Sequence, residues 1–278
     1  MLELSDDTPP VVSIETVQSD RDAFVIIDVR WYLDGRSGLD AYRAGHIRGA
    51  RFVDLNRSLA EQQDPTQGRH PLPTPEAFAV ALGAMGIGDD DYVVAYDDTG
   101  GGTAGRLVWM LRAIGQPAAI LDGGLLNWNE PLVTDVANVN PVARTVRAWP
   151  TTLLGEVGAL DALERDVVVL DARAPERYRG DVEPVDPRAG HIPIAKNLPW
   201  TDLLTPDRTL LPRDEIARRF AAVGVDTASE LVASCGSGVT ACMLLVAAEY
   251  AGLGRGRLFV PSFSGWSNDL TRAVAIGG

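Results

Sequence analysis

The chain contains one pattern twice, and this internal repeat constrains its fold more than any other feature of the sequence. In each half, an apolar run closed by an aspartate precedes a histidine motif: FVIIDVR is followed by YRAGHIRGA, and DVVVLDAR is followed by PRAGHIPIA. Farther along, 31 residues separate Asp97 from Trp128, and 31 separate Cys235 from Trp266. Agreement at several fixed spacings indicates an internal duplication, in which Asp97 takes the place of Cys235.

Each copy also carries an apolar face with helical spacing that is closed by a glycine. These faces are Phe78, Leu82 and Met85 before Gly86, and Ile216, Phe220 and Val223 before Gly224. Short β-branched runs alternate with such helices, and this order predicts parallel strands joined by right-handed crossovers. The predicted fold class is therefore α/β, with two tandem three-layer domains, each a parallel sheet flanked by helices.

The length of the chain and one polar segment predict where the domains divide. The chain of 278 residues has room for two domains of about 100–150 residues each. The segment VTDVANVNPVARTVRAWP is polar, contains proline and has no sustained period, which is typical of a linker. We predict an N-terminal domain over residues 1–132, a linker over 133–150 and a C-terminal domain over 151–278.

The formal net charge of −13 argues against nucleic-acid and anionic-membrane partners, because it repels phosphate groups. No apolar run approaches the about 18 residues of a membrane span, and the N-terminal MLELSDDTPP lacks the basic and apolar regions of a signal peptide. We therefore expect a cytoplasmic protein that acts on small molecules. The three histidines and two cysteines show no metal-ligand spacing, so we predict no metal.

The stretch SCGSGVTA places Cys235 where an apolar run passes into a predicted helix. In an open parallel sheet, ligands bind beyond the carboxyl ends of the strands, at such a turn. Gly236 and Gly238 allow the backbone N–H groups to curl inward, and the N-terminus of the next helix favours a negative charge there. These features predict a nucleophilic thiolate at Cys235, whereas Cys242, within the apolar helix, is predicted to be a core residue.

A cysteine loop after a strand is also typical of phosphatases, in which a cysteine and an arginine flank five residues. Here the residue after Gly236–Thr240 is Ala241, so the arginine that would bind phosphate in a bidentate manner is missing. Phosphatase and arsenate-reductase chemistry are therefore disfavoured.

Together with the repeat, the loop CGSGVTA resembles the tandem-domain rhodanese-type sulfurtransferases over nearly the whole chain. It is most similar to the loop of the members that use 3-mercaptopyruvate, whereas thiosulfate-using members typically carry a basic loop of the type CRKGVT. The family has an inactive N-terminal and an active C-terminal rhodanese-like domain, which agrees with Asp97 replacing the cysteine. One departure is the closing PSFSGW, which replaces a usual glycine–serine–tryptophan sequence.

The resemblance implies a role for each matching residue. Cys235 would accept sulfur as a persulfide, and Ser237 would bond the donor and help to move a proton. Arg177 would hold the carboxylate of the donor, and Arg188 is the nearest candidate for a second arginine, although its spacing differs. His46 would lie near the cleft between the domains. The backbone N–H groups that would stabilise the sulfur belong to the loop residues Gly236, Ser237, Gly238, Val239 and Thr240.

The implied reaction takes sulfur from a small donor and passes it to cyanide or to a thiol, either a small thiol or a thioredoxin-like protein, with no cofactor. Two alternatives remain open on the residues alone. The first is a thiosulfate sulfurtransferase, since only the loop distinguishes the donors. The second is a non-catalytic binding module in which Cys235 is a redox sensor.

Overall fold

The computed structural model describes residues 8–61, 64–155 and 167–278, so residues 1–7, which open the N-terminal sequence discussed above, lie outside the described residues. The contacts of the chain divide it into two compact units, and each unit includes one short segment from the other half of the sequence. The first unit comprises Met1–Glu61, Pro73–Pro150 and Thr205–Leu210, and the second comprises Gln62–Leu72, Thr151–Leu204 and Leu211–Gly278.

Each unit is built on a parallel sheet. In the first unit the strand order is β1-β5-β4-β2-β3, with β1 at Val11–Val12, β2 at Val25–Asp28, β3 at Arg51–Phe52, β4 at Val93–Tyr96 and β5 at Ala118–Leu121. In the second unit the order is β7-β6-β8-β9, with β6 at Val168–Asp171, β7 at Ala195–Asn197, β8 at Leu231–Ser234 and β9 at Arg257–Leu258. Parallel sheets are covered on both faces, which explains the nearly unbroken apolar runs in β4 and β8.

Helices flank both sheets and complete the predicted layers. In the first unit they are α1 Ile14–Ser19, α2 Gly38–Ala44, α3 Leu55–Ser58, α4 Pro75–Ala84 and α5 Ala104–Ala113. In the second unit, within the described residues, they are α6 Pro175–Arg179, α7 Arg213–Ala222, α8 Thr240–Tyr250 and α9 Ser262–Asn268. The predicted fold class of two tandem α/β domains with parallel sheets is confirmed. None of the helices in the described ranges is long and apolar enough to cross a membrane.

The segment predicted as a linker, 133–150, lies within the first unit and packs on it. It contains no helix or strand, as its proline content and lack of period indicate, but its side chains are anchored. Arg144 donates to the carbonyl oxygens of Ile87 and Gly88 at 3.0 and 2.9 Å. These bonds satisfy backbone groups in the loop between α4 and β4, so the segment belongs to the body of the unit.

The two copies share an internal buried ion pair at the end of β2 and of β6. Asp28 accepts from the guanidinium of Arg30 at 2.7 Å, and Asp171 accepts from that of Arg173 at the same distance. All four side chains are at most 6% exposed. The pair thus fixes the chain as it leaves the sheet, at the edge where the candidate site lies.

Candidate active site

The backbone of the Cys235 loop is fixed by the first turn of α9. The N–H groups of Phe263 and Ser264 donate to the carbonyl oxygens of Cys235 and Gly236 at 2.9 and 2.8 Å, and Cys235 N–H donates to Ser262 Oγ at 3.2 Å. The first N–H groups of a helix lack partners within the helix, so the loop carbonyls satisfy them. These hydrogen bonds from α9 therefore hold the backbone of the loop in one conformation.

The sulfur of Cys235 is almost fully buried, with 1% of the residue exposed, and it accepts a hydrogen bond from Gly238 N–H at 3.1 Å. Gly238 has a φ of 76°, a left-handed conformation that glycine adopts without the steric cost paid by other residues. This turn directs its N–H group toward the sulfur, immediately before α8 begins at Thr240. A negative charge on the sulfur therefore meets a bonded amide and the positive end of a helix.

Cys242 differs from Cys235 in its hydrogen bond. It is fully buried on α8, and its Sγ donates to the carbonyl oxygen of Gly238 at 3.3 Å. Its environment is that of a core residue.

The corresponding loop of the first unit is an anion-binding turn filled by the chain itself. Both carboxylate oxygens of Asp97 accept hydrogen bonds, and the residue is 1% exposed. Four backbone N–H groups and two hydroxyl groups, from Thr99, Gly101, Thr103 and Ala104, donate to it at 2.8–3.0 Å. The turn that follows the strand therefore binds negative charge in the first unit, where a carboxylate replaces the thiol.

Ser237 has a partner that the sequence did not indicate. Its Oγ lies 2.8 Å from Nδ1 of His70, which belongs to the segment Gln62–Leu72 of the second unit. Both residues are nearly buried, with 7% and 6% of their surfaces exposed. The available signal was that His70 alone among the three histidines has no counterpart in the repeat.

His46, expected near the donor, is a buried residue of the first unit. Its Nδ1 lies 2.8 Å from the carbonyl oxygen of Tyr42, and the two rings stack with centroids 3.8 Å apart. His191 makes the same contacts with Tyr178, at 2.8 Å and 3.7 Å. Both copies of the histidine motif therefore share this packing, and the placement of His46 near the donor stays a prediction.

Arg177 lies beside the loop, on α6. A Cβ built on Gly236 would lie 3.5 Å from Arg177 Nη1. Another nitrogen of the same guanidinium, Nη2, donates to Glu183 Oε1 at 2.7 Å and lies 3.3 Å from Asp186 Oδ2. The cation expected to hold the donor is thus next to the residue that follows Cys235.

A second arginine beside the loop is Arg69, which the sequence did not indicate. Its Nη2 lies 3.1 Å from the position of a Cβ on Gly236, and its Nη1 donates to Asp186. Like His70, it belongs to the segment Gln62–Leu72.

Arg188, expected as the second donor-binding arginine, has a structural role instead. Its guanidinium donates to four carbonyl oxygens at 2.7–2.9 Å, those of Trp266, Ser267, Asp269 and Arg272. Carbonyl groups at the end of a helix lack partners within the helix, and Arg188 satisfies them at the end of α9. With its donors committed in this way, Arg188 is corrected from a donor-binding to a structural residue.

The family model of the rhodanese-like domain matches the chain twice, over residues 15–131 and 158–269. The chain is 40% identical to the probable 3-mercaptopyruvate sulfurtransferase of Pseudomonas aeruginosa, over 91% of this chain and 92% of that protein. It is 38% identical to SseB of Mycobacterium tuberculosis, which is named as a thiosulfate sulfurtransferase, over 92% of each.

A solved structure shows the same similarity at the level of the fold. The crystal structure of SseA from Escherichia coli, titled as a 3-mercaptopyruvate sulfotransferase, superposes with a TM-score of 0.78 at 30% identity, over 92% of this chain and 99% of that chain. Similar sequence, a family model matched in both copies and a shared fold over most of the length agree with one another. The chain therefore belongs to the rhodanese family and is a sulfurtransferase built from two rhodanese-like domains.

Proposed function

We propose that this sulfurtransferase takes sulfur from 3-mercaptopyruvate, carries it as a persulfide on Cys235 and passes it to a thiol or to cyanide. The thiolate of Cys235 attacks the donor sulfur, the carbon–sulfur bond breaks, and its electron pair stays on carbon to form the enolate of pyruvate. The enolate takes up a proton and leaves. An acceptor thiolate or cyanide then attacks the outer sulfur, and Cys235 is released as a thiolate.

The observation that carries this proposal is the contact of 2.8 Å between Ser237 Oγ and His70 Nδ1 beside the cysteine. A hydroxyl group bonded to an imidazole can supply and recover a proton, which the departing enolate requires. When thiosulfate is the donor, sulfite is the leaving group, and no carbon atom has to be protonated. The pair is therefore of use with a carbonyl donor and of little use with thiosulfate.

The charge around the loop also favours 3-mercaptopyruvate. The loop Gly236–Thr240 contains no cation, and the nearby Arg69 and Arg177 each share a carboxylate partner in Asp186. Thiosulfate is a dianion and requires uncompensated positive charge, whereas one carboxylate needs only two N–H donors. Thiosulfate remains the second candidate donor because a relative at 38% identity is named for it.

The positive end of α8 and the amide of Gly238 support the negative charge that the persulfide carries between the two half-reactions. In the first unit the same turn is filled by Asp97, so we propose that the N-terminal rhodanese-like domain is catalytically inactive. We further propose a cytoplasmic location and an acceptor that is either a small thiol or a thioredoxin-like protein. No cofactor takes part in the proposed steps.

The test is a comparison of kcat/KM for 3-mercaptopyruvate and thiosulfate, each with cyanide and with a dithiol as acceptor. We expect the higher value with 3-mercaptopyruvate, and a higher value with thiosulfate would contradict the donor assignment. Mass spectrometry after addition of donor alone should find one extra sulfur on the peptide with Cys235. Cys235→Ser should abolish transfer and Cys242→Ala should retain most of it. Persulfide formation without turnover would instead indicate a sensing or binding module.

A further inference from the structure

The first turn of α9 contacts both the cysteine loop and the segment that carries His70. The N–H group of Ser264 donates to the carbonyl oxygen of Gly236 at 2.8 Å, and its side-chain Oγ accepts from the backbone N–H of Arg69 at 3.0 Å. Arg69 directly precedes His70, and Gly236 directly precedes Ser237. One residue of α9 is therefore bonded to the neighbours of both members of the proposed proton-transfer pair.

The hydroxyl group of Ser264 is buried, and its hydrogen atom already has an acceptor. The residue is 0% exposed, and Oγ donates to the carbonyl oxygen of Pro261 at 3.2 Å. With the hydrogen directed there, the lone pairs of the oxygen are left for the N–H group of Arg69. A buried backbone N–H group without an acceptor is costly, so this bond stabilises the position of the backbone directly before His70.

Two glycines allow the segment Gln62–Leu72 to lie directly against α9. A Cβ on Gly265 would lie 2.5 Å from the carbonyl oxygen of Thr66. A Cβ on Gly68 would lie 2.5 Å from the carbonyl oxygen of Pro261. The two backbones thus approach more closely than side chains permit, and glycine is required on both sides.

The first unit shows that the fold does not require this serine and this glycine. At the matching positions of the repeat, directly before the tryptophan, the first unit has Leu126 and Asn127. Leu126 is 58% exposed, whereas Ser264 is buried. The pair Ser264 and Gly265 is therefore specific to the unit that carries Cys235.

We propose that Ser264 and Gly265 are positioning residues for His70, which hold the segment Gln62–Leu72 so that the imidazole stays within hydrogen-bonding distance of Ser237. They act through His70 and not on the donor. The inference rests on the proposed function, because it takes the pair of His70 and Ser237 to supply the proton that the enolate requires. It also gives a role to the stretch PSFSGW, which departs from the usual sequence of the family.

A disturbance of this contact should displace His70 and leave the cysteine loop in place. The first N–H groups of α9 are bonded to carbonyl oxygens of the loop, whereas residues 64–67 of the segment are exposed. The segment is therefore the part that yields. With Gly265→Ala, the carbonyl oxygen of Thr66 must move from 2.5 Å to at least 3.0 Å from the new Cβ.

The test measures the single-turnover formation of pyruvate from 3-mercaptopyruvate together with the reactivity of the thiol. Ser264→Ala and Gly265→Ala should each lower the rate of pyruvate formation by about 10- to 100-fold, because a displacement of roughly 1 Å can cost about that much. Alkylation of Cys235 by iodoacetamide, followed by mass spectrometry, should keep its rate in both variants. Equal losses in the two measurements would overturn the inference, because the two residues would then act by supporting the loop.

A positioning residue matters only while the residue that it positions is present. In a His70→Gln background, Ser264→Ala should therefore lower the rate of pyruvate formation no further. Effects that multiply in the double variant would overturn the inference, since Ser264 would then act independently of His70. Hydrogen–deuterium exchange of the peptide with Arg69 should be faster in Ser264→Ala, because that N–H group loses its acceptor, and unchanged exchange would likewise contradict the proposed contact.

Ser267→Ala is the matched control on the same helix. Ser267 is as buried as Ser264, and its Oγ donates to the carbonyl oxygen of Ser264 at 3.2 Å, so its hydrogen bond stays within α9. The variant should leave pyruvate formation unchanged. A loss equal to that in Ser264→Ala would reveal a general effect of weakening α9 and would overturn the inference.

The outcomes separate this inference from the proposed function. If the unaltered enzyme forms neither pyruvate nor a persulfide from 3-mercaptopyruvate, the proposed function fails, and the inference fails with it. If the unaltered enzyme forms both while Ser264→Ala and Gly265→Ala keep its rate, only the inference fails. Thermal unfolding of each variant checks that the second unit remains folded, and should Gly265→Ala not fold, Ser264→Ala, which adds no atoms, decides alone.

Discussion

The Oγ of Ser237 and the Nδ1 of His70 lie 2.8 Å apart although 167 positions separate the two residues in the chain. The contact exists because the segment Gln62–Leu72 folds into the second unit. It places the only histidine outside the repeat beside the loop that carries Cys235. Both side chains are nearly buried, so the proton transfer that we propose for this pair would be shielded from bulk water.

Removal of this pair should slow sulfur transfer from 3-mercaptopyruvate to Cys235 and leave the rate of transfer from thiosulfate unchanged. Ser237→Ala and His70→Gln should each lower kcat by about 100-fold or more, the usual range for a lost acid–base group. Because the two residues act as one unit, the double variant should be little slower than either single variant. Single-turnover formation of pyruvate gives the rate. A thiosulfate rate reduced to the same extent would mean that the pair supports the loop instead.

Adding a cation to the loop should change the choice of donor. Ser237→Lys places a positive charge beside the sulfur, where a divalent anion is attracted with little screening, and it removes the hydroxyl group that a carbonyl donor would use. The ratio of kcat/KM for thiosulfate to that for 3-mercaptopyruvate should rise. Ser229→Lys, at an exposed position, adds the same charge elsewhere and should leave the ratio unchanged.

Gly236→Arg is a poorer way to make that test. Gly236 does not have a left-handed backbone, but a Cβ there would lie 3.1 Å from a nitrogen of Arg69. The new side chain would crowd and repel the arginines already present, so we expect losses with both donors. A ratio that stays constant in an active Ser237→Lys enzyme would place the choice of donor with Arg69 and Arg177, which lie beside Gly236.

The filled turn of the first unit should be needed for stability and not for sulfur transfer. Asp97→Ala leaves buried N–H groups without an acceptor, each at a cost of about 1–3 kcal/mol, so the free energy of unfolding should fall by about 3 kcal/mol or more. Chemical denaturation measures the loss. Asp40→Ala is the control, because that carboxylate is 72% exposed. Equal denaturation midpoints for the two variants would contradict this role for Asp97.

Acid should destabilise the second unit through Glu183, which pairs with Arg173 and Arg177. Burial acts to raise the pKa of Glu183, but bonds from Arg177 and from the amides of Asp186 and Val185 outweigh it, so the pKa lies below its ordinary 4.5. The unfolded chain then takes up this proton at a higher pH than the folded chain. The contribution of Glu183 to the free energy of unfolding is thus fully present above its ordinary pKa. It is lost as the pH falls through the lowered pKa of the folded chain.

The measurement is the unfolding midpoint at several values between about pH 6 and pH 3, compared with Glu183→Gln. The unaltered protein should lose stability more steeply, although burial raises the pKa of the neighbouring Asp186 and acts in the opposite sense. Parallel curves for the two proteins would show that Glu183 does not titrate in this way.

The fold could be predicted from sequence because local features determine it. The helix faces predicted before Gly86 and Gly224 are α4 and α7, and both glycines have a positive φ, 68° and 88°. The repeat then fixed the equivalence of Asp97 and Cys235. Such signals depend on residues within a few positions of one another, or on a pattern that occurs in both halves of the sequence.

The surroundings of the cysteine could be predicted only in part. Arg69 and His70 lie in a stretch without helical or strand period and without a counterpart in the repeat. Their partners, Asp186 and Ser237, are 117 and 167 positions away. The repeated histidine lies next to a backbone carbonyl group in each copy, at His46 and at His191. Arg188 bonds backbone carbonyl groups as well, whereas its counterpart in the repeat, Arg43, is 62% exposed and pairs with Asp40. The repeated histidine therefore marks a contact that both copies share.

The segment Gln62–Leu72 has a consequence for how such a protein can evolve. After a duplication, the copy that no longer carries the cysteine is usually free to decay. Here the first half of the gene still encodes the histidine beside Ser237 and the arginine beside Gly236. A gene shortened to the half that encodes Cys235 would specify the nucleophile without these two side chains. With the roles proposed above, selection for sulfur transfer at Cys235 would also act on the segment Gln62–Leu72 in the first half of the gene.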